Sequence, residues 1–157
     1  MDRKPDFWKN WIAFIAVLLL SASVLAACAE QPASQEVARP SNAGGPGEAV
    51  NLTGNAQQGA DVYTTNCVAC HGEQGKGGIP NPGTDDGTVP PLNPIDPSLV
   101  NADAKVFATN LDLFIEHGSD PEGDSPALKM KAFGDEKLLT SQQIADVIAY
   151  VISLNKK

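Results

Sequence analysis

Cys67-Val68-Ala69-Cys70-His71 is a Cys-x-x-Cys-His pentad, the attachment pattern of a c-type haem. Each residue type in it has a task. Two thiols separated by two residues can each add to one vinyl group of a haem. The histidine beside the second thiol is then placed to set an imidazole nitrogen on the iron. A Cys-x-x-Cys pair taken alone also suits a redox dithiol or half of a zinc site. Zinc needs two further ligands, and outside the pentad the chain offers only Cys28 and His117 in those residue types. A thioredoxin-like dithiol follows a strand, whereas the residues before Cys67 read as helix.

The segment before the pentad, about 55–66, opens on Asn55, a good N-cap. The clearest periodic segment lies at the other end of the chain. Thr140-Ser141-Gln142-Gln143 is a capping box, and Ile144, Val147, Ile148, Val151 and Ile152 follow on one helical face. Lys156 and Lys157 suit the negative end of that helix. A middle helix is expected over about 102–116, burying Val106, Phe107, Leu111, Phe114 and Ile115, and Gly118 stops it. The remaining segments are rich in Gly, Pro, Asn and Asp and read as loops. The expected fold class is therefore all-α with long loops.

Residues 55–157 resemble a class I cytochrome c over their whole length. The resemblance rests on the pentad, on Gly59 and Tyr63 ahead of it, on Val147 and Tyr150 in the last helix, and on Pro90-Pro91-Leu92. It implies three to five helices around one covalently bound haem c, with Cys67 and Cys70 as thioether donors and His71 as the proximal iron ligand. It further implies that the Pro90 carbonyl accepts from His71 Nδ1 and that Leu92 packs on the haem. The family's distal ligand is a methionine. Of the two methionines, Met1 starts the chain, and Met130 lies in Lys129-Met130-Lys131-Ala132-Phe133-Gly134, similar to the family's Met-Pro-x-Phe loop with Lys131 in the proline position. His117 is the rival distal ligand, with a surface position as its default reading. The stretch 72–89 is longer than in the smallest members and reads as an extended surface loop of unassigned role.

The N-terminus has a different character. Arg3, Lys4 and Lys9 precede an uncharged, mostly apolar run from Ile12 to Ala29, the layout of a signal peptide over 1–27. Leu25-Ala26-Ala27-Cys28 resembles a bacterial lipobox, which implies lipid on Cys28. An uncleaved membrane helix and a plain secretory signal are the alternatives. All three put residues 55–157 outside the cytoplasm, and the first two hold them at the outer face of the inner membrane. Residues 28–54 are rich in Ala, Pro, Gly, Ser and Gln and are expected to be a flexible linker, either a passive spacer or a swinging tether.

The formal charge of −8 argues against nucleic acid as a partner. An acidic surface suits redox proteins with basic docking surfaces, and it also simply keeps a protein soluble. The expected function is single-electron transfer in a respiratory or photosynthetic chain, by a carrier rather than an enzyme. The alternatives are a fixed haem relay in a larger quinol-oxidising complex of the alternative complex III type, and a sensor or peroxidase with an open iron site.

Overall fold

The computed structural model describes residues 40–156; the expected signal peptide and Cys28 lie outside the described residues. Among the described residues four α-helices carry the fold: α1 (Ala56–Asn66), α2 (Val68–His71), α3 (Ala104–His117) and α4 (Ser141–Leu154). Single 3-10 turns occupy Glu48–Asn51 and Glu73–Gly75. Extended pairing among the described residues is limited to isolated bridges. The all-α expectation holds.

Each long helix starts on a side-chain cap. Asn55 accepts from the amides of Gln57 and Gln58, Asp103 from those of Lys105 and Val106, and Thr140 closes its box with Gln143. Asp103 moves the start of the middle helix to Ala104, about two residues later than its apolar pattern suggests. Short acidic side chains satisfy the first free amides better from just outside a helix than from within it.

Helix α4 is the central element. It packs on α1, on α3 and on the Glu48–Asn51 turn, and buries Ile144, Val147, Ile148 and Val151. Burial of each such side chain is worth about 1.5–3 kcal/mol. The α1–α4 crossing is close because residue 59 is glycine: a Cβ there would run into the Asp146 carbonyl. Tyr63 packs its ring on Tyr150 at 5.2 Å between centroids and donates its hydroxyl to the Gly72 carbonyl at 2.7 Å. Asp146 is buried, and its Oδ1 accepts from the Asn55 amide at 2.8 Å and from Gln142 Nε2 at 2.9 Å. The carboxylate thus ties the start of α1 to the flank of α4.

Residues 40–54 differ from the linker expected of them. Ala49 is buried in the main core with Leu111, Ile144 and Ile148. The Gly47 amide donates to Asp112 Oδ2 at 2.6 Å, and Asn42 Nδ2 donates to the His117 carbonyl at 2.8 Å. The small residues that suggest a flexible chain instead let the backbone lie flat on α3 and α4. A Cβ at Gly47 would press on the Glu116 carboxylate, and one at Gly54 would meet the Ala145 carbonyl. Among the described residues no helix is long and apolar enough to cross a membrane.

Candidate metal centre

The pentad folds as one helical turn. Cys67 ends α1 by donating its amide to Tyr63 and begins α2 by accepting from the amides of Cys70 and His71. Gly72, at φ +73, turns the chain away after His71. Both thiols are half-buried and unpaired. Burial, reinforced by the neighbouring Cys70, pushes the Cys67 thiol up to about 11. A redox dithiol needs a lowered thiol pKa, so this environment argues against that chemistry. Among the described residues no group of three or more His, Cys, Asp or Glu side chains is placed to hold a metal ion, so zinc finds no ligand set there.

His71 Nδ1 lies 3.2 Å from the Pro90 carbonyl oxygen. A carbonyl can only accept, so Nδ1 carries the proton and the lone pair stays on Nε2. Burial pulls the imidazole below its ordinary pKa, against the opposing effect of the Pro90 hydrogen bond. The ring is therefore neutral at physiological pH, the form that can ligate a metal.

A cavity of about 220 Å³ opens beside this histidine. Its wall includes Cys70, His71, Pro90 and Leu92 from the pentad side, Leu111 and Phe114 from α3, Val151 from α4, and Met130. The lining is mostly apolar. Cys67 belongs to the same helical turn without lining the cavity. Leu92 is held through α4: Asn155 Nδ2 donates to the Leu92 carbonyl at 2.8 Å, and Asn155 Oδ1 accepts from the Ile95 amide at 3.0 Å. Met130 is fixed by a two-way backbone pairing with Ser119, at 3.0 and 3.1 Å. One imidazole with its tautomer set, one thioether and two thiols beside an apolar cavity suit a covalently held haem.

The structure corrects the reading of His117. Its side chain is only 10% exposed, beneath the Gly44–Gly47 backbone, and its two ring nitrogens are engaged by Asp135 Oδ2 at 2.8 Å and the Gly45 carbonyl at 2.7 Å. It is half-buried beneath that backbone and does not line the cavity. Asn81, Asp112, Asp146 and Asn155 also shape the site and its supports without a signature in the sequence. Each is a polar residue with at least one partner far away in the chain, and no local pattern marks that contact.

The cytochrome c family model matches residues 56–155. The chain belongs to the cytochrome c family. The family is one of electron-transfer proteins, and it implies covalently bound haem c. The chain is similar to subunit CcoP of a cbb3-type cytochrome c oxidase from Azospirillum sp. (strain B510), with 35% identity over 114 residues, covering 68% of this chain and 33% of the relative. It is 32% identical over 97 residues to the subunit of the same name from Cereibacter sphaeroides, covering 62% of this chain and 30% of that one. The chain thus spans about a third of the length of these curated relatives. No solved structure matches it.

Proposed function

We propose that this protein carries single electrons through one haem c, attached by Cys67 and Cys70 and ligated by His71 and Met130, at the outer face of a bacterial inner membrane. The observation that carries the reading is the His71–Pro90 hydrogen bond beside a cavity that Met130 also lines. Haem c, when bound, supplies the one-electron iron couple. The protein's own contribution is positional and electrostatic. Pro90 orients the imidazole and keeps its proton on Nδ1. Ser119 holds the backbone of Met130, whose soft thioether favours the reduced metal. Leu92, Leu111 and Phe114 keep water out of the cavity. With His71 and Met130 of the chain itself holding the group, electron exchange would require little rearrangement and would leave no open site for a substrate.

Lipid on Cys28 is the proposed anchor. Ser41 already hydrogen-bonds Ser119, so at most the 12 residues between Cys28 and Ser41 separate the anchor from the packed domain. Fully extended, they span no more than about 45 Å. A leash of that length keeps the domain at the membrane surface. It favours exchange with membrane-bound partners over long-range diffusion.

A second reading is a fixed relay subunit of a multisubunit membrane complex. Its support is that both relatives bear the name of an oxidase subunit. Gentle detergent extraction followed by sizing separates the two, since a free carrier elutes alone. Intact mass and an absorption spectrum of the extracted protein test the core proposal. One haem adduct, lipid on Cys28 and a low-spin ferric spectrum with a sulfur-to-iron band are expected. A high-spin ferric spectrum unchanged by Met130→Ala would show that Met130 is no ligand.

A further inference from the structure

The loop over residues 72–89 has no assigned role, and its buried centre is Asn81, 1% exposed. The carboxamide of Asn81 binds both the amide and the carbonyl of a single residue, Leu128. Nδ2 donates to the Leu128 carbonyl at 3.0 Å, and Oδ1 accepts from the Leu128 amide at 2.7 Å. A side-chain amide thus serves Leu128 as a neighbouring β-strand would. Asn81 is itself held, since its amide donates to the Gly87 carbonyl at 2.9 Å and its own carbonyl accepts from Thr84 Oγ1 at 2.8 Å. Three backbone bonds continue the contact along the same two segments: Ala127 to Pro82 at 3.0 Å, Ser125 to Gly83 at 3.3 Å, and Asp85 to Glu122 at 3.1 Å.

The gripped segment is the one that delivers Met130. Leu128 stands two residues before it, and in extended backbone such residues share a face. Both line the cavity, as does Asn81. Downstream of Leu128 the segment is held by the Ser119–Met130 pairing. The chain that presents the thioether is therefore pinned at two points, by Ser119 at Met130 itself and by Asn81 at Leu128.

We propose that Asn81 is a positioning residue for Met130, and that the 72–89 loop serves as the brace that holds the distal ligand's segment against the cavity. The inference rests on the reading of Met130 as that ligand. Asn81 is buried although Leu128 is exposed, and losing its carboxamide removes at once the donor and the acceptor that fix the Leu128 backbone.

The test uses the haem-loaded full chain and compares wild type, Met130→Ala, Asn81→Ala, Asn81→Asp and the core control Ile144→Val. The readouts are the sulfur-to-iron band of the ferric protein, the reduction potential, and hydrogen exchange at the Leu128 amide. Asn81→Ala is expected to lose most of the band, to lower the potential and to speed Leu128 exchange about tenfold or more. Asn81→Asp keeps an acceptor for the Leu128 amide but cannot donate to its carbonyl, and is expected to fall between; it decides the matter if Asn81→Ala does not fold. Ile144→Val is expected to lower stability with the band intact. A wild-type band that survives the Asn81 substitutions at full strength, or that Ile144→Val weakens equally, overturns the proposal alone. A wild-type protein that lacks the band, with a spectrum Met130→Ala does not change, overturns the ligation reading and the proposal with it.

Discussion

His117 Nδ1 and Asp135 Oδ2 stand 2.8 Å apart at the C-terminal end of α3, while the other ring nitrogen of His117 meets the Gly45 carbonyl at 2.7 Å. Both partners accept, so the imidazole makes both bonds only when it carries both protons. The hydrogen bond to Asp135, followed by that to Gly45, raises its pKa above the ordinary imidazole value. Glu116 and Asp112 also face this corner, each with its carboxyl pKa raised chiefly by burial. The protonated histidine thus clamps residues 41–47 onto α3.

The sign of the pH dependence follows. A histidine whose folded pKa is raised contributes fully below its unfolded value, about 6.5, and that contribution is lost as pH rises through the folded pKa. Wild-type thermal stability, and protease protection of residues 42–47, should therefore decline as pH climbs from about 6.5. His117→Gln should flatten both profiles over that window. The carboxyl groups of Asp112 and Glu116, raised chiefly by burial, should leave their own slope in the variant. Identical wild-type and His117→Gln profiles would disprove the clamp.

Gly59→Ala should destabilise the fold. The substitution gains about 1 kcal/mol of helix propensity in α1. It also drives a Cβ into the backbone carbonyl of Asp146, which cannot rotate aside. Overpacking of this kind costs about 1–3 kcal/mol, with rigid backbone at the upper end, so the steric term wins. A melting temperature lower by several degrees is the expected result. Gly45→Ala is the matched control: a Cβ there meets nothing within 4 Å, and its melting temperature should stay put.

These two glycines also show how far the sequence could be read. Gly59, Tyr63, Val147 and Tyr150 match the positions at which the family packs its first and last helices, so the α1–α4 crossing was legible through that resemblance. So was the orientation of His71 by Pro90, since the family's spacing survives in the chain. The docking of residues 40–54 was not legible. Its Gly and Pro content is that of a linker, and only the third dimension shows the glycines lying against Glu116 and the Ala145 carbonyl. Asn81 was hidden for a related reason. A loop asparagine is usually solvated, and its partner Leu128 lies 47 residues away.

Asp146→Ala should cost about 1–3 kcal/mol, because the Asn55 amide loses its acceptor at the buried α1–α4 junction. Asp146→Asn keeps an oxygen for that amide and should cost less. Urea unfolding with an unchanged m value would report both as stability changes. If the two variants unfold at the same midpoint, it is the charge, not the acceptor, that matters.

Met130→His exchanges a soft thioether for an imidazole. Imidazole is the stronger donor to oxidised iron, so on the proposed ligation the potential should fall, within the roughly 0.8 V range that axial ligands set. The sulfur-to-iron band should vanish while the ferric spectrum stays low-spin. Met130→Ala, by contrast, should turn high-spin. The wall of the cavity supports a readable outcome, because Met130 enters it from a backbone pinned to Ser119 and not from the helical core. A ligand change there need not disturb α4. Redox titration of the two variants beside wild type checks the point. If all three share one potential and one spectrum, residue 130 lies outside the coordination sphere and another group completes it.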